Sequence, residues 1–138
     1  MATRINLSEY IGITPKSEFD LAEMIENGLS TKSLARLREK GLTFSEISSL
    51  IISPRTLQHR KARGVRKLTH DEADRTVRLA RILALAEQIF GNRDKALVWL
   101  RTPDERLHDR TAISMLDTEI GGRIVEKMLW QIDEGVFS

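Results

Sequence analysis

Apolar residues recur along this chain at spacings of three and four, and nowhere in sustained alternation, so the pattern predicts helices throughout. The first clear helix covers 18–26, with Phe19, Leu21, Ala22 and Ile25 apolar and Asn27-Gly28 as its stop. Ser30 caps a second over 31–40, with Leu34 and Leu37 inward and Gly41 at its end. Thr43 and Glu46 have capping-box spacing and open a third helix carrying Phe44, Ile47, Leu50 and Ile51. Ser53-Pro54 restarts the chain as a helix to about 63, stopped by Gly64. A second capping box, Thr69 with Glu72, opens a long helix that runs to Phe90 and ends at Gly91. Asn92 caps 93–101, whose apolar positions are Ala96, Leu97, Trp99 and Leu100, and Pro103 breaks it. The stretch 104–110 reads as a loop, 111–116 as a short helical turn, and Thr118 caps a last helix over 119–134 that Gly135 ends. Residues 1–16 show weak periodicity before Thr14-Pro15 and form either a short arm or a segment packed on the core. The fold class is all-α.

The segment 43–63, TFSEISSLIISPRTLQHRKAR, has helix-turn-helix spacing. A short helix ends in Ile51-Ile52, the turn passes through Ser53, and Leu57 returns to the same apolar contact. The second helix then offers Arg55, Thr56, Gln58, His59 and Arg60 near its start, where this motif faces the major groove. Arginine pairs with guanine and glutamine with adenine. Lys61, Arg63, Arg66 and Lys67 suit phosphates, which require charge rather than shape. Ile51 stands at the turn position that is usually glycine, and Ile47 at a first-helix position that is usually small, so the turn must open differently from the commonest form. The competing reading is a helical hairpin whose basic helix is merely exposed.

Charge sharpens this picture. The 138 residues carry a net +2, but residues 1–68 hold 12 Lys/Arg against 7 Asp/Glu and residues 69–138 hold 10 against 13. A basic first half suits nucleic acid and an acidic second half suits protein. There is no cysteine, so disulfides and thiolate zinc sites are excluded. The longest apolar run, 82–86, is too short for a membrane span, and no signal peptide is visible, so a cytoplasmic protein is expected. His59, His70 and His108 are scattered without metal-ligand spacing. No Gly-rich phosphate loop or nucleophile elbow is present, and neither an enzyme nor a cofactor is expected.

Three further features remain. Arg75, Arg78 and Arg81 form a drifting stripe on the long helix, read either as intrahelical pairs with Asp71, Asp74 and their neighbours or as a polar anchor at a dimer interface. The run 82–86 is apolar all round and must be enclosed. On the last helix, Ile120, Ile124, Val125, Met128 and Ile132 share one broad face, while Trp130 lies nearly opposite among Arg123, Glu126, Lys127 and Asp133. That tryptophan is either a hot spot awaiting a partner or a residue folded against its own domain. The acidic end, Asp133 and Glu134 followed by Phe137, either enters a partner's pocket or frays.

The order of several short pieces is more specific than any of them alone. They are Leu68-Thr69 with Asp74-Arg75, Ile89-Phe90-Gly91, Ala96, Trp99-Leu100, Pro103, Leu107, Leu116-Asp117-Thr118-Glu119 with Gly121 or Gly122, and the ending 132–136. In this order and spacing they resemble the toxin-binding domain of the Xre/MbcA/ParS antitoxins. Pro54-Arg55-Thr56-Leu57 with Arg60-Lys61-Ala62 and Gly64 resembles that family's linked helix-turn-helix. The resemblance covers roughly 43–138. Asp109 and Ala112 depart from it, standing where a glycine and a proline are expected.

The resemblance implies an N-terminal Xre-like helix-turn-helix bundle, residues 1–67, followed by a helical toxin-binding domain, residues 68–138. It implies a cognate RES-domain toxin that breaks down NAD, an antitoxin that covers the toxin's active-site entrance, and a homodimer that binds the operator DNA of its own promoter. On the residues above, the expected DNA contacts are Ser53, Arg55, Thr56, Gln58, His59, Arg60, Lys61 and Arg63. The expected toxin contacts are Arg123, Glu126, Lys127, Trp130, Asp133, Glu134 and Phe137. The main alternative is a stand-alone dimeric helix-turn-helix regulator whose second half only dimerises or senses a ligand.

Overall fold

Local side-chain caps start most of the helices, and the computed structural model, which describes residues 5–135, shows them closed. Both capping boxes form. Thr43 accepts from the Glu46 N–H and Glu46 accepts from the Thr43 N–H to begin α4 (Phe44–Leu50), and Thr69 with Glu72 does the same for α6 (His70–Phe90). Ser17 caps α2 (Glu18–Asn27), Ser53 caps α5 (Pro54–Ala62), Asn92 caps α7 (Arg93–Arg101) and Thr118 caps α8 (Glu119–Asp133). For α3 (Lys32–Glu39) the cap position falls on Thr31, without a side-chain cap bond. Within the weakly periodic N-terminus, Asn6 caps a short helix α1 (Leu7–Ile11) whose Leu7, Tyr10 and Ile11 are buried. That segment therefore packs on the core.

The helix α6 is the axis of the molecule. Its apolar run from Ile82 to Ala86 is buried on every side. Helices α1, α2 and α3 pack along it from the N-terminal part, and α7, α8 and the 3-10 segment Ile113–Asp117 from the C-terminal part. The buried residues of all these elements form one contiguous cluster. The arginine stripe on α6 joins elements rather than turns of one helix. Arg75 Nη1 donates to the Ile51 carbonyl at 3.3 Å, Arg78 Nη1 to the Leu116 carbonyl at 3.3 Å, and Arg81 pairs with Glu18 at 3.4 Å. Expected intrahelical pairing is thus replaced by ties to the helix-turn-helix turn, the 3-10 segment and α2.

The stretch after α7 is more ordered than the expected loop. Strands β1 (Pro103–Asp104) and β2 (Arg110–Thr111) pair antiparallel around a 3-10 turn at Glu105–Leu107. His108 and Asp109 take left-handed backbone angles there, φ 57° and 66°. Glycine fits such a position best, and aspartate tolerates it because its short side chain bonds locally. Ala112, at φ −58° and ψ −40°, lies where proline fits without strain. The two departures from the family pattern therefore stand at backbone positions whose angles a glycine and a proline would also fit. No helix among the described residues is long and apolar enough to cross a membrane.

Candidate nucleic-acid interface and partner-binding helix

The helix-turn-helix consists of α4, the buried pair Ile51-Ile52, and α5. Ile51 has φ −122° and ψ −64°, so the turn needs no left-handed residue and isoleucine fits. Ser53 then accepts the Thr56 N–H at 3.2 Å and donates to its hydroxyl at 2.8 Å. Arg55, Thr56, Gln58, His59, Lys61 and Arg63 are exposed along α5 and its end. No residue of α5 is fully buried, and Leu57 is its partly buried apolar contact. Beyond α5 the chain is pinned: Leu68 N–H donates to the Leu29 carbonyl at 2.8 Å and Thr31 N–H to the Arg66 carbonyl at 2.9 Å. This holds 66–68 antiparallel to 29–31 and fixes the start of α6.

Arg60 departs from its expected place in solvent. Its guanidinium grips the Glu72 carboxylate with both terminal nitrogens, one bond being 2.7 Å, and its side chain is only 18% exposed. Burial pushes the Glu72 carboxyl up, but the Arg60 bonds and the Thr69 N–H outweigh it and hold the group below the usual carboxylate range. Glu72 was legible as a cap; nothing in the sequence signalled its second bond to a residue twelve positions earlier.

On α8 the inward face differs from the expected one. Gly121, Gly122, Val125, Met128 and Leu129 are buried, whereas Ile120 is 65% and Ile124 40% exposed. The cause is close packing. A Cβ on Gly121 would sit 2.9 Å from the Met115 carbonyl carbon and well inside contact distance of its oxygen, so α8 docks on the 3-10 segment through its glycine face and turns the two isoleucines outward. Ile120 and Ile124 lie one turn apart beside the exposed Arg123 and Lys127.

Trp130 is half-buried against the core. Its outer part joins Arg123, Glu126, Lys127, Gln131 and Glu134 around an open concavity of about 430 Å³. Arg123 and Glu126 also border a second groove of similar size, floored by Ile25, Val77, Ile82 and Leu85 between α2, α6 and α8. Of the expected partner residues, Arg123, Glu126, Lys127, Trp130 and Glu134 thus come together on one face. Asp133 is exposed at the helix end, and Phe137 lies outside the described residues. The exposed isoleucines were missed because helical periodicity rewards bulk, and here glycine occupies the packed face.

Comparison with known proteins agrees with both halves of this geometry. Residues 20–81 match the family model of the antitoxin Xre-like helix-turn-helix domain, and residues 85–135 that of the antitoxin Xre/MbcA/ParS C-terminal toxin-binding domain. A protein named Antitoxin Xre from Pseudomonas putida is 41% identical over 119 residues, which cover 86% of this chain and 74% of that protein. Two others with the same name, from Photorhabdus laumondii and Yersinia enterocolitica, are 38% identical over 80 residues and 34% over 88. These matches cover 57% and 63% of this chain, and 54% and 59% of those relatives. With helix-turn-helix and toxin-binding domains in sequence and a relative of this identity along most of its length, the chain belongs to the Xre family of antitoxins.

Proposed function

We propose that this antitoxin neutralises a cognate RES-domain toxin by covering the entrance of its NAD-degrading active site with α8 and the acidic end that follows. The observation that carries this reading is the face of α8 within the toxin-binding domain. It offers a half-buried tryptophan, two exposed isoleucines and a set of mixed charges, the composition of an interface core with its rim. A pocket that holds the phosphates of a dinucleotide is cationic, so Asp133 and Glu134 suit its mouth. In this reading the chain contributes occlusion and no chemistry, takes no cofactor, and works in the cytoplasm.

The same reading divides the labour at about residue 68. Residues 1–67 bind operator DNA of the chain's own promoter as a homodimer, with Ser53, Arg55, Thr56, Gln58, His59, Lys61 and Arg63 toward the duplex, and so repress the operon. Residues 68–138 hold the toxin. The exposure of the α5 side chains supports this assignment.

The experiment is co-expression. The neighbouring reading frame, expressed alone, is expected to arrest growth with falling cellular NAD, and this chain to restore both. A harmless neighbour, or arrest without rescue, refutes the proposal. Trp130→Ala then weakens toxin binding while leaving operator binding intact, and Arg55→Ala with Gln58→Ala does the reverse. Loss of both activities in either variant argues against separate surfaces.

A further inference from the structure

We infer that Arg60 and Glu72 form a clamp that orients the recognition helix, which makes Arg60 a positioning residue rather than a DNA contact. The inference rests on the proposal that α5 reads the operator. It starts from a deficit in packing. Helix α5 buries no side chain fully, and Leu57 alone gives it a partial apolar contact. A short helix so loosely packed draws little of its orientation from burial. Polar ties supply it instead. The Arg60 guanidinium takes the Glu72 carboxylate in a two-bond grip, a planar fork that fixes angle as well as distance. Glu72 is itself immobilised, because the same carboxylate accepts the Thr69 N–H at 2.8 Å as the cap of α6. One turn along α6, Arg75 holds the Ile51 carbonyl at the entrance to α5. The recognition helix is thus tied to α6 both through its own last turn and through the turn that precedes it.

The geometry also removes Arg60 from the reading surface. Its charge is neutralised by Glu72 and its guanidinium donors are turned toward α6, while Arg55, Gln58, His59 and Lys61 on the same helix remain open. A positioning residue and a contacting residue predict different behaviour. A phosphate contact contributes about 0.9 to the slope of log affinity against log salt. A clamped pair of zero net charge contributes little. Removing the negative charge of Glu72 would favour DNA if electrostatics alone mattered, and would harm it if orientation matters.

The test uses the full chain with Arg60→Met, Glu72→Gln and the double variant. Glutamine keeps a side-chain oxygen for the Thr69 cap, and methionine keeps the aliphatic stem. Binding to a fragment of the chain's own promoter is measured across a salt series, and amide hydrogen exchange is followed in parallel without DNA. Both single variants are expected to weaken operator binding by about tenfold with an unchanged salt slope, and the double variant to lose no more than either alone, as members of one coupled pair do. Exchange is expected to quicken in α5 and to stay unchanged in α8. A salt slope that falls by about one unit in Arg60→Met, with Glu72→Gln binding as tightly as the wild type or more so, makes Arg60 a phosphate contact and overturns the inference. Unchanged α5 exchange in both single variants overturns it as well. If the wild type fails to bind its promoter, operator reading itself falls, and the exchange data alone decide whether the clamp exists.

Discussion

Substituting Gly121 by alanine tests the packing of α8 directly. In a helix interior, glycine to alanine is stabilising by about 1 kcal/mol through backbone entropy. Here the added Cβ would meet the Met115 backbone, 2.9 Å from its carbonyl carbon and closer still to its oxygen. Neither atom is the end of a flexible side chain. The 3-10 segment Ile113–Asp117 must move away from α8, carrying the buried Ile113 and Leu116 with it. Overpacking of this kind costs about 1–3 kcal/mol, with a rigid backbone obstacle at or above the upper end. The balance is a net loss of about 2 kcal/mol. For a chain of this size that lowers Tm by roughly 6–10 °C. Gly122→Ala is the control. Its Cβ would meet the Arg78 Cδ at 2.9 Å, and a long side chain can yield, so the helix gain offsets most of the clash. Thermal unfolding of the purified variants by circular dichroism reads the difference. A Gly121→Ala protein at least as stable as the wild type refutes the packing argument, and with it the reason given for the outward isoleucines.

Two other perturbations follow from the same reasoning. The carboxyls of Glu46 and Glu72 are pushed up by burial but brought below the usual range by Arg101 and Arg60 and by cap N–H groups, and Asp104 is brought below it by Arg106. A depressed folded-state value means stabilisation present above the ordinary carboxyl range and lost as pH falls through the folded values, so Tm is expected to be level between about pH 5 and 7 and to drop below about pH 4; a Tm that rises on acidification contradicts this. In the hairpin, Asp109→Gly relieves a left-handed aspartate and is expected to stabilise the chain by about 0.5–1 kcal/mol, read as a higher urea midpoint at constant m. A lower midpoint would mean that the aspartate side chain holds the loop.

What the sequence made legible was local, and what it hid was not. The paired caps Thr43–Glu46 and Thr69–Glu72 form as their spacing predicts, because the partners are three residues apart and need no tertiary context. The helical fold, the all-round burial of 82–86 and the stop at Gly91 belong to the same class. Arg60–Glu72 and Arg101–Glu46 join residues 12 and 55 apart, and no periodicity connects them. Arg101 shows why this matters. Its fork reaches Glu46 at 2.8 and 2.9 Å and the Gly41 carbonyl at 2.7 Å, tying α7 to the start of α4. The face of α8 failed for a different reason. An amphipathic pattern assigns bulk to the interior, but a neighbouring backbone at close range selects glycine instead, and Gly121-Gly122 overrode the apolar count. The charged ring around Trp130, by contrast, was readable because it lies on one helix, where residue spacing alone fixes the face.

The helix-turn-helix match ends at residue 81 and the toxin-binding match begins at residue 85, yet both positions lie inside α6, a continuous helix of 21 residues, about 31 Å long. No linker separates the two matched regions. On successive turns of α6, Glu72 grips the recognition helix, Arg75 the turn before it, and Arg78 the Leu116 carbonyl while lying across Gly122 of α8. A helix in a close-packed core does not bend locally to suit one neighbour, so a shift imposed at either end is shared with the other. That architecture makes a specific demand on any test of separable functions. On the proposed division of labour, substitutions on the exposed faces of α5 and α8 are expected to separate DNA binding from toxin binding, and Glu72→Gln to act on α5 alone, whereas substitutions at Arg78, which ties α6 to the 3-10 segment and lies across α8, are expected to disturb the frame common to both. A Glu72→Gln protein that kept toxin binding intact while losing operator binding would place the flexibility within α5 itself, and an Arg78→Met protein that lost both would place the shared element at the middle of α6.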